Sequence, residues 1–360
     1  MIFQRALLRE FATAAIATFF VLFGIVITML LVRLLGQAAS GAITSTGVFA
    51  LLSFSMLNYM PVLLSLTLFI SVLMALTRSY RDSEMVVWFS CGVSLTQWIR
   101  PVLGFSAPLI ILIALLSLGL SPWAVTSSEE LRRQMDSRDD VSAVTPGVFR
   151  ESRQADRVYF VEEVSGSANE VANVFVSATQ HGHQGVMVAA RGFQEIAANG
   201  DRFLVLLNGR RYEGEPGKAD YKIYEFERYA VRIDTMEARA PRAPTTKATS
   251  TIDLLRDPVP AHLAELSWRI GLPLAALILA LLAIPLSFVN PRAGRSMNLV
   301  LAILIYMAYN NLLSITQASI AQGRISFSLG VLGVHAAMLV ILAAFFYRRL
   351  IVFSLFRLVP

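Results

Sequence analysis

At 360 residues, 55% hydrophobic and only 16% charged, the chain is too apolar for an ordinary globular domain and reads as a polytopic membrane protein. Its single cysteine, Cys91, excludes a disulfide framework within the chain and a thiolate metal cluster, and with them redox chemistry. The net charge of +6 resides in short-loop arginines, and no nucleic-acid partner is expected.

A helix of about 20 residues crosses a hydrocarbon core of about 30 Å. Runs of that length fall near 11–35, 48–77, 97–121, 268–289, 297–318 and 327–347, predicting six transmembrane helices. The first is longer than a signal-peptide core and more spans follow, so it reads as a retained helix. Arg5 and Arg9 precede span one. Arg78 and Arg81 lie between spans two and three, Arg292 and Arg295 between four and five, and Arg348, Arg349 and Arg357 after six. The opposite short loops hold only Arg33 and Arg324. Positive charge stays on the cytoplasmic side, so both termini are expected there and the large loop after span three outside.

Between spans two and three lies SYRDSEMVVWFSCGVS, residues 79–94. Outside the polar block 122–266 the chain has three acids, Glu10, Asp82 and Glu84, and two fall in this stretch. Ser79 with Asp82 three residues on reads as a helix start and Gly92 as a stop, giving a short helix over 79–91. Ser94 with Gln97 reads as a second capping box opening span three. Met85, Val86, Trp88 and Phe89 supply an apolar face, and Arg78–Asp82 and Arg81–Glu84 have the spacing of helical ion pairs. Cys91 reads as a small packing residue. Residues alone leave two readings: an interfacial helix without a partner, or a handle for another protein.

Residues 122–266 hold 22 of the 25 acids and all three lysines, Lys218, Lys222 and Lys247. That composition shift marks an inserted domain. Short β-rich runs, RVYFVEEV, NVFVSAT, GVMVAARGF, RFLVLLNGRRYEGE and YKIYEFERYAVRI, are separated by turn residues. They predict an antiparallel sandwich or jelly roll. The Pro-, Ala- and Thr-rich EARAPRAPTTKATST leads back toward the membrane.

Catalytic signatures are missing. The only Gly-Lys, Gly217-Lys218, precedes Ala219 and no phosphate loop can form. His181 and His183 in HGHQG read as a turn, His262 and His335 are isolated, and there is no Gly-x-Ser-x-Gly elbow. No acid lies within any of the six expected spans, where an ion-coupled carrier tends to keep one. If the protein transports, a separate ATPase is the natural energy source, and 79–91 is where it would grip.

Several segments in order, MIFQRALLRE, LVRLLG, the SE…CGVS stretch, AELSWRIGLPL and IPLSFVNPRAGR, resemble the lipopolysaccharide export permease family LptF/LptG, and sit nearer its LptF side. The resemblance implies a polytopic α-helical membrane protein of six transmembrane helices with an inserted periplasmic all-β jellyroll domain. Its boundaries would be 1–121, 122–266 and 267–360. It makes 79–91 a coupling helix for an LptB-like ATPase dimer, with Glu84 the acidic contact and Asp82, Arg81, Met85 and Trp88 beside it. ATP and magnesium would be bound by that partner, with no cofactor in this chain. Further implied partners are an LptG-like permease paralogue, an LptC-like single-span protein, lipopolysaccharide, and a periplasmic jellyroll bridge reached by edge-to-edge sheet addition.

The resemblance also implies that Arg33 meets lipid A phosphates, where guanidinium suits phosphate; snorkelling explains an arginine there equally. Some relatives carry a second base one turn earlier, where this chain has Met29 and Leu30. Spans one and five would form lateral gates, with Tyr306, Tyr309, Asn310 and Asn311 as gate or packing residues. Asn290, Pro291, Arg292 and Arg295 match a family turn that helix stopping and positive-inside anchoring also explain. The expected function is a non-catalytic permease subunit in the Gram-negative inner membrane, extracting lipopolysaccharide from the periplasmic leaflet. Alternatives are an ABC permease for another envelope lipid or lipoprotein, or a membrane adaptor whose sheet binds envelope proteins without transport.

Overall fold

The computed structural model describes residues 2–39, 43, 45–142, 150–152, 157–165, 170–180, 183–197, 202–214, 222–234, 244–288 and 297–355. Two compact units are present: Met1–Arg133 together with Pro244–Pro360, and Gln134–Ala243.

The first unit is helical. In chain order it contains α1 (Ile2–Ala39), α2 (Gly47–Arg81), α3 (Glu84–Ser90) and α4 (Ile99–Leu115). A π turn at Leu116–Leu120 runs into α5 (Ser121–Ser142), which passes into the second unit at Gln134, and after the insert come α6 (Thr251–Arg256), α7 (Pro260–Leu286), α8 (Met297–Ala321) and α9 (Phe327–Leu355). Among the described residues six helical stretches are long and apolar enough to cross a membrane, one for each expected span. The fold class expected from the sequence, six spanning helices and an inserted β domain, is the one observed.

Burial sorts these helices into inner and outer. Leu68, Phe69, Val72 and Leu76 of α2 meet Ala276, Leu279, Ala280 and Ala283 of α7 in one core. Alanines on α7 let the backbones approach, and in lipid such close packing and hydrogen bonds, rather than water exclusion, hold helices together. The other side of the bundle is different. α1 turns Ile16, Phe20, Val21, Ile25 and Met29 outward, as suits a helix facing lipid or a second chain.

The fourth span starts at Pro260, before the expected 268, and thereby takes in Glu265. The expectation of acid-free spans is corrected here, because the acid is neutralised one turn on. Arg269 is 2% exposed and Glu265 7%. The Arg269 Nε donates to Glu265 Oε1 at 3.0 Å and Nη1 to Thr251 Oγ1 at 2.7 Å, while Nη2 donates to the carbonyls of Lys247 and Thr249, each at 3.0 Å. Gln317 of α8 donates to the other Glu265 oxygen at 3.2 Å. The backbone distortion of the π turn feeds the same knot. Ser117 donates to the Arg269 carbonyl at 3.0 Å and Thr251 to the Leu118 carbonyl.

Among its described residues the second unit holds the end of α5 and a six-stranded antiparallel sheet in the order β1-β2-β3-β4-β5-β6. The strands are β1 (Arg150–Ser152), β2 (Arg157–Ser165), β3 (Glu170–Gln180), β4 (His183–Ile196), β5 (Arg202–Gly214) and β6 (Lys222–Asp234). Alternation puts Val174, Val176, Met187, Ala189, Leu206 and Val231 into one apolar cluster. The all-β insert is therefore present. Its described strands each pair with their chain neighbour, as short connections favour, so they form a meander with no Greek-key crossing among the described residues.

Removing one member of a buried ion pair leaves the other uncompensated, at a cost of about 3–5 kcal/mol. Arg269→Ala is expected to lower the detergent melting temperature of the full chain strongly. Arg269→Met combined with Glu265→Leu is expected to recover most of that loss, read in the same melt.

Candidate functional site

The segment from Arg78 to Gly92 forms an exposed corner at one end of the helical unit. Its local structure departs from the sequence expectation at the start and agrees at the end. α2 does not stop before Ser79; it continues to Arg81 with Ser79 fully buried in its last turns, so Ser79 cannot cap a new helix. The break comes at Asp82 and Ser83, and Ser83 takes a left-handed φ of 59°. The short helix is thus α3, Glu84–Ser90, rather than 79–91. At its other end Gly92 has φ 86°. Gly92 N–H donates to the Phe89 carbonyl and Val93 N–H to the Trp88 carbonyl, each at 3.0 Å, a Schellman stop that glycine makes without steric cost. The second capping box is not formed: Ser94 Oγ bonds Thr96 Oγ1 at 2.9 Å, and Gln97 N–H goes to the Ser94 carbonyl instead.

The apolar residues of α3 divide. Met85 is 1% exposed and belongs to the main helical core. The Trp88 ring lies 4.8 Å from Trp98, and Phe89 lies 6.3 Å from Tyr80. Tyr80 in turn meets Phe288 at 5.5 Å, and the Arg349 guanidinium sits 3.8 Å over the Phe288 ring. These contacts tie α3 to both halves of the helical unit. Val86 at 65% exposed and Val87 at 59% point the other way. Cys91 is exposed as well, which corrects its reading as a packing residue.

The charges converge on one side chain. Arg78 grips Glu10 of α1 with two N–H groups, Nε to Oε1 and Nη2 to Oε2 at 2.7 Å. Its Nη1 donates to Asp82 Oδ2 at 3.3 Å, and Glu84 Oε1 stands 3.6 Å from Nη2. Arg81 pairs with Asp82 at 3.5 Å. The expected Arg78–Asp82 pair is present, whereas Glu84 turns to Arg78 and not to Arg81. All three acids outside the polar block therefore share one guanidinium. Its hydrogen bonds go to Glu10 and Asp82, and Glu84 at 3.6 Å stands within Coulomb range but beyond hydrogen-bond distance. Among these carboxylates Glu84 is the most easily drawn elsewhere.

The remaining candidates lie apart from this corner. Arg33 is exposed on α1, about 35 Å along the helix from Glu10 at 1.5 Å per residue. Tyr306 is buried and donates to the Val62 carbonyl of α2 at 2.9 Å. Tyr309 is buried against α9, its hydroxyl bonded to His335 Nδ1. Asn310 is half-buried and Asn311 exposed. His183 pairs with Gln180 across β3 and β4; His181 and the turn of Asn290, Pro291, Arg292 and Arg295 lie outside the described residues. Sequence reasoning missed Arg78 and Glu10 as partners. The scarcity of acids outside the polar block was the available signal.

The sequence profile of the family described as "Lipopolysaccharide export system permease LptF/LptG" matches residues 5–348. The chain is similar to "Lipopolysaccharide export system permease protein LptF" of Escherichia coli (strain K12). Identity is 30% over 319 residues, covering 86% of this chain and 84% of the relative. The same figures relate it to the LptF proteins of Escherichia coli O157:H7 and Shigella flexneri.

The joint of α2 and α3 is strained at a non-glycine residue, and a left-handed L-residue costs about 1–2 kcal/mol. Ser83→Gly is expected to slow amide hydrogen exchange across 84–90, and Gly92→Val to speed it, with spans elsewhere unchanged.

Proposed function

The chain belongs to the lipopolysaccharide export system permease family LptF/LptG and is most like LptF; from that premise we propose that it is a non-catalytic permease subunit driven by a separate ATPase. It draws lipopolysaccharide from the periplasmic leaflet of the inner membrane and hands it to a periplasmic bridge. The observation that carries the reading is the exposed face of α3. Val86 and Val87 stand outward beside Glu84, the carboxylate least held by its own chain, on a helix whose other side is buried. A partner offering an apolar groove and a basic group fits that face, because a charge-assisted contact at a desolvated subunit boundary is worth more than a surface pair. The sequence has no phosphate loop of its own, so ATP and magnesium belong to that partner, an LptB-like dimer.

Arginine asymmetry supports cytoplasmic termini and a periplasmic β domain. Arg33 then falls at the periplasmic interface, where its guanidinium suits a lipid phosphate. The outward apolar faces of α1 and of α8, with Leu304, Met307 and Ile315 exposed, suit lateral gates closed against an LptG-like paralogue and an LptC-like single-span protein. β6 is 13 residues long and ends the sheet order, while the other end, β1, has 3. The longer edge suits strand addition to the next β domain in the bridge.

Cys91 makes the orientation and docking testable. A membrane-impermeant maleimide is expected to label it in inverted vesicles and not in right-side-out ones, with labelling suppressed when the copurifying ATPase is bound. Glu84→Arg is expected to lose the ATPase on purification and to stop ATP-dependent lipopolysaccharide release. Labelling from the periplasmic side, or full transport by Glu84→Arg, would overturn the reading.

A further inference from the structure

We infer that Arg78 is a positioning residue that ties the base of α1 to the turn at 82–84, so that capture of Glu84 by a partner is felt at Glu10. The inference rests on the docking reading given above. It starts from an imbalance of charge: one guanidinium faces three carboxylates, bonds Glu10 and Asp82 and stands 3.6 Å from Glu84. The post that carries it is fixed, because Leu76 and Ser79 in the same stretch of α2 are fully buried. The side chain is the mobile part, half-exposed at the end of that post. Its allegiance is therefore set by competition among Glu10, Asp82 and Glu84 rather than by backbone movement.

Glu10 lies where α1 is anchored. Leu7 and Phe11 on either side of it are buried in the main core, and the Phe11 ring is 5.4 Å from Phe105 of α4. Farther along, α1 presents the outward stripe from Ile16 to Met29. A helix pinned at its base and open along one face pivots about that base. When an incoming cation takes Glu84, Arg78 loses one of its three attractions and its remaining charge falls on Glu10 and Asp82, tightening the pin. When the cation leaves, Glu84 returns and the pin loosens. Pairs this exposed are individually weak, which lets a partner displace one of them. The device thus biases span one according to whether α3 is engaged, a differential contact of the kind coupling requires.

The test uses the full chain with its copurifying ATPase and permease partner in proteoliposomes, with lipopolysaccharide release and ATP turnover measured together. Glu10→Gln is expected to keep the ATPase and its turnover while lipopolysaccharide released per ATP falls about five-fold or more. Arg78→Gln is expected to fall at least as far, Arg78→Lys to recover part, and the Glu10→Gln, Arg78→Gln double variant to fall no further than Arg78→Gln alone. Hydrogen exchange over residues 6–12 is expected to slow on ATPase binding in the unmodified chain and not in Glu10→Gln. Unchanged release per ATP in Glu10→Gln, or losses that multiply in the double variant, would overturn the pin. Wild-type transport by Glu84→Arg would instead sink the docking reading beneath it.

Discussion

A guanidinium removed from water must have every donor answered close by, and Arg269 imposes that demand on the helical unit. Four of its contacts come from three separate stretches: Glu265 one turn back, Thr251 at the start of α6, and the Lys247 and Thr249 carbonyls of the strand-to-helix return. Through Glu265 the demand reaches Gln317 on α8, and through its own carbonyl it reaches Ser117 in the π turn. The chain returning from the β unit is therefore nailed to the head of α7 before the apolar part of that helix begins. Close packing of α7 with α2 then proceeds from a fixed origin.

The two arginine nodes differ in balance. Around Arg269 a single carboxylate balances the charge, neutral oxygens take three further hydrogen bonds, and the group is buried. Around Arg78 three carboxylates share one positive charge, and the group is half in solvent. The first arrangement has one arrangement of lowest energy. The second has several of similar energy, so a small external charge can choose between them. Rigidity and responsiveness in this chain thus follow from how many carboxylates each guanidinium must share.

Much of the fold was legible because it depends on local pattern. Apolar runs of spanning length announced six helices, β-branched and aromatic runs announced β2 to β6, and Gly92 announced the end of α3. What was not legible depends on contacts remote in sequence. Ser79 has the chemistry of a cap, but tertiary burial keeps it inside α2. Met85 and Trp88 looked like part of one exposed apolar face, and only the position of Trp98 and the core decides that they turn inward. The short β1 carries no periodicity to read. Glu265 falls with the polar block by composition because hydropathy windows smear a single acid at a helix head, although its i,i+4 spacing to Arg269 is visible in the sequence. Strand order in the insert followed from connection lengths rather than from the strands themselves.

The length of α3 carries a last consequence. Seven residues make fewer than two turns, too few to persist as an isolated helix in water, since nucleation is unfavourable and only a few bonds follow it. It is held because Met85 is buried in the core, Trp88 and Phe89 pack against aromatic neighbours, and Gly92 closes its last turn. The surface of Val86 and Val87 is thus finished when the protein folds, and the partner proposed above would meet a shape already set. Association there would lose little conformational entropy, and its rate would be governed by encounter and orientation rather than by the ordering of a segment.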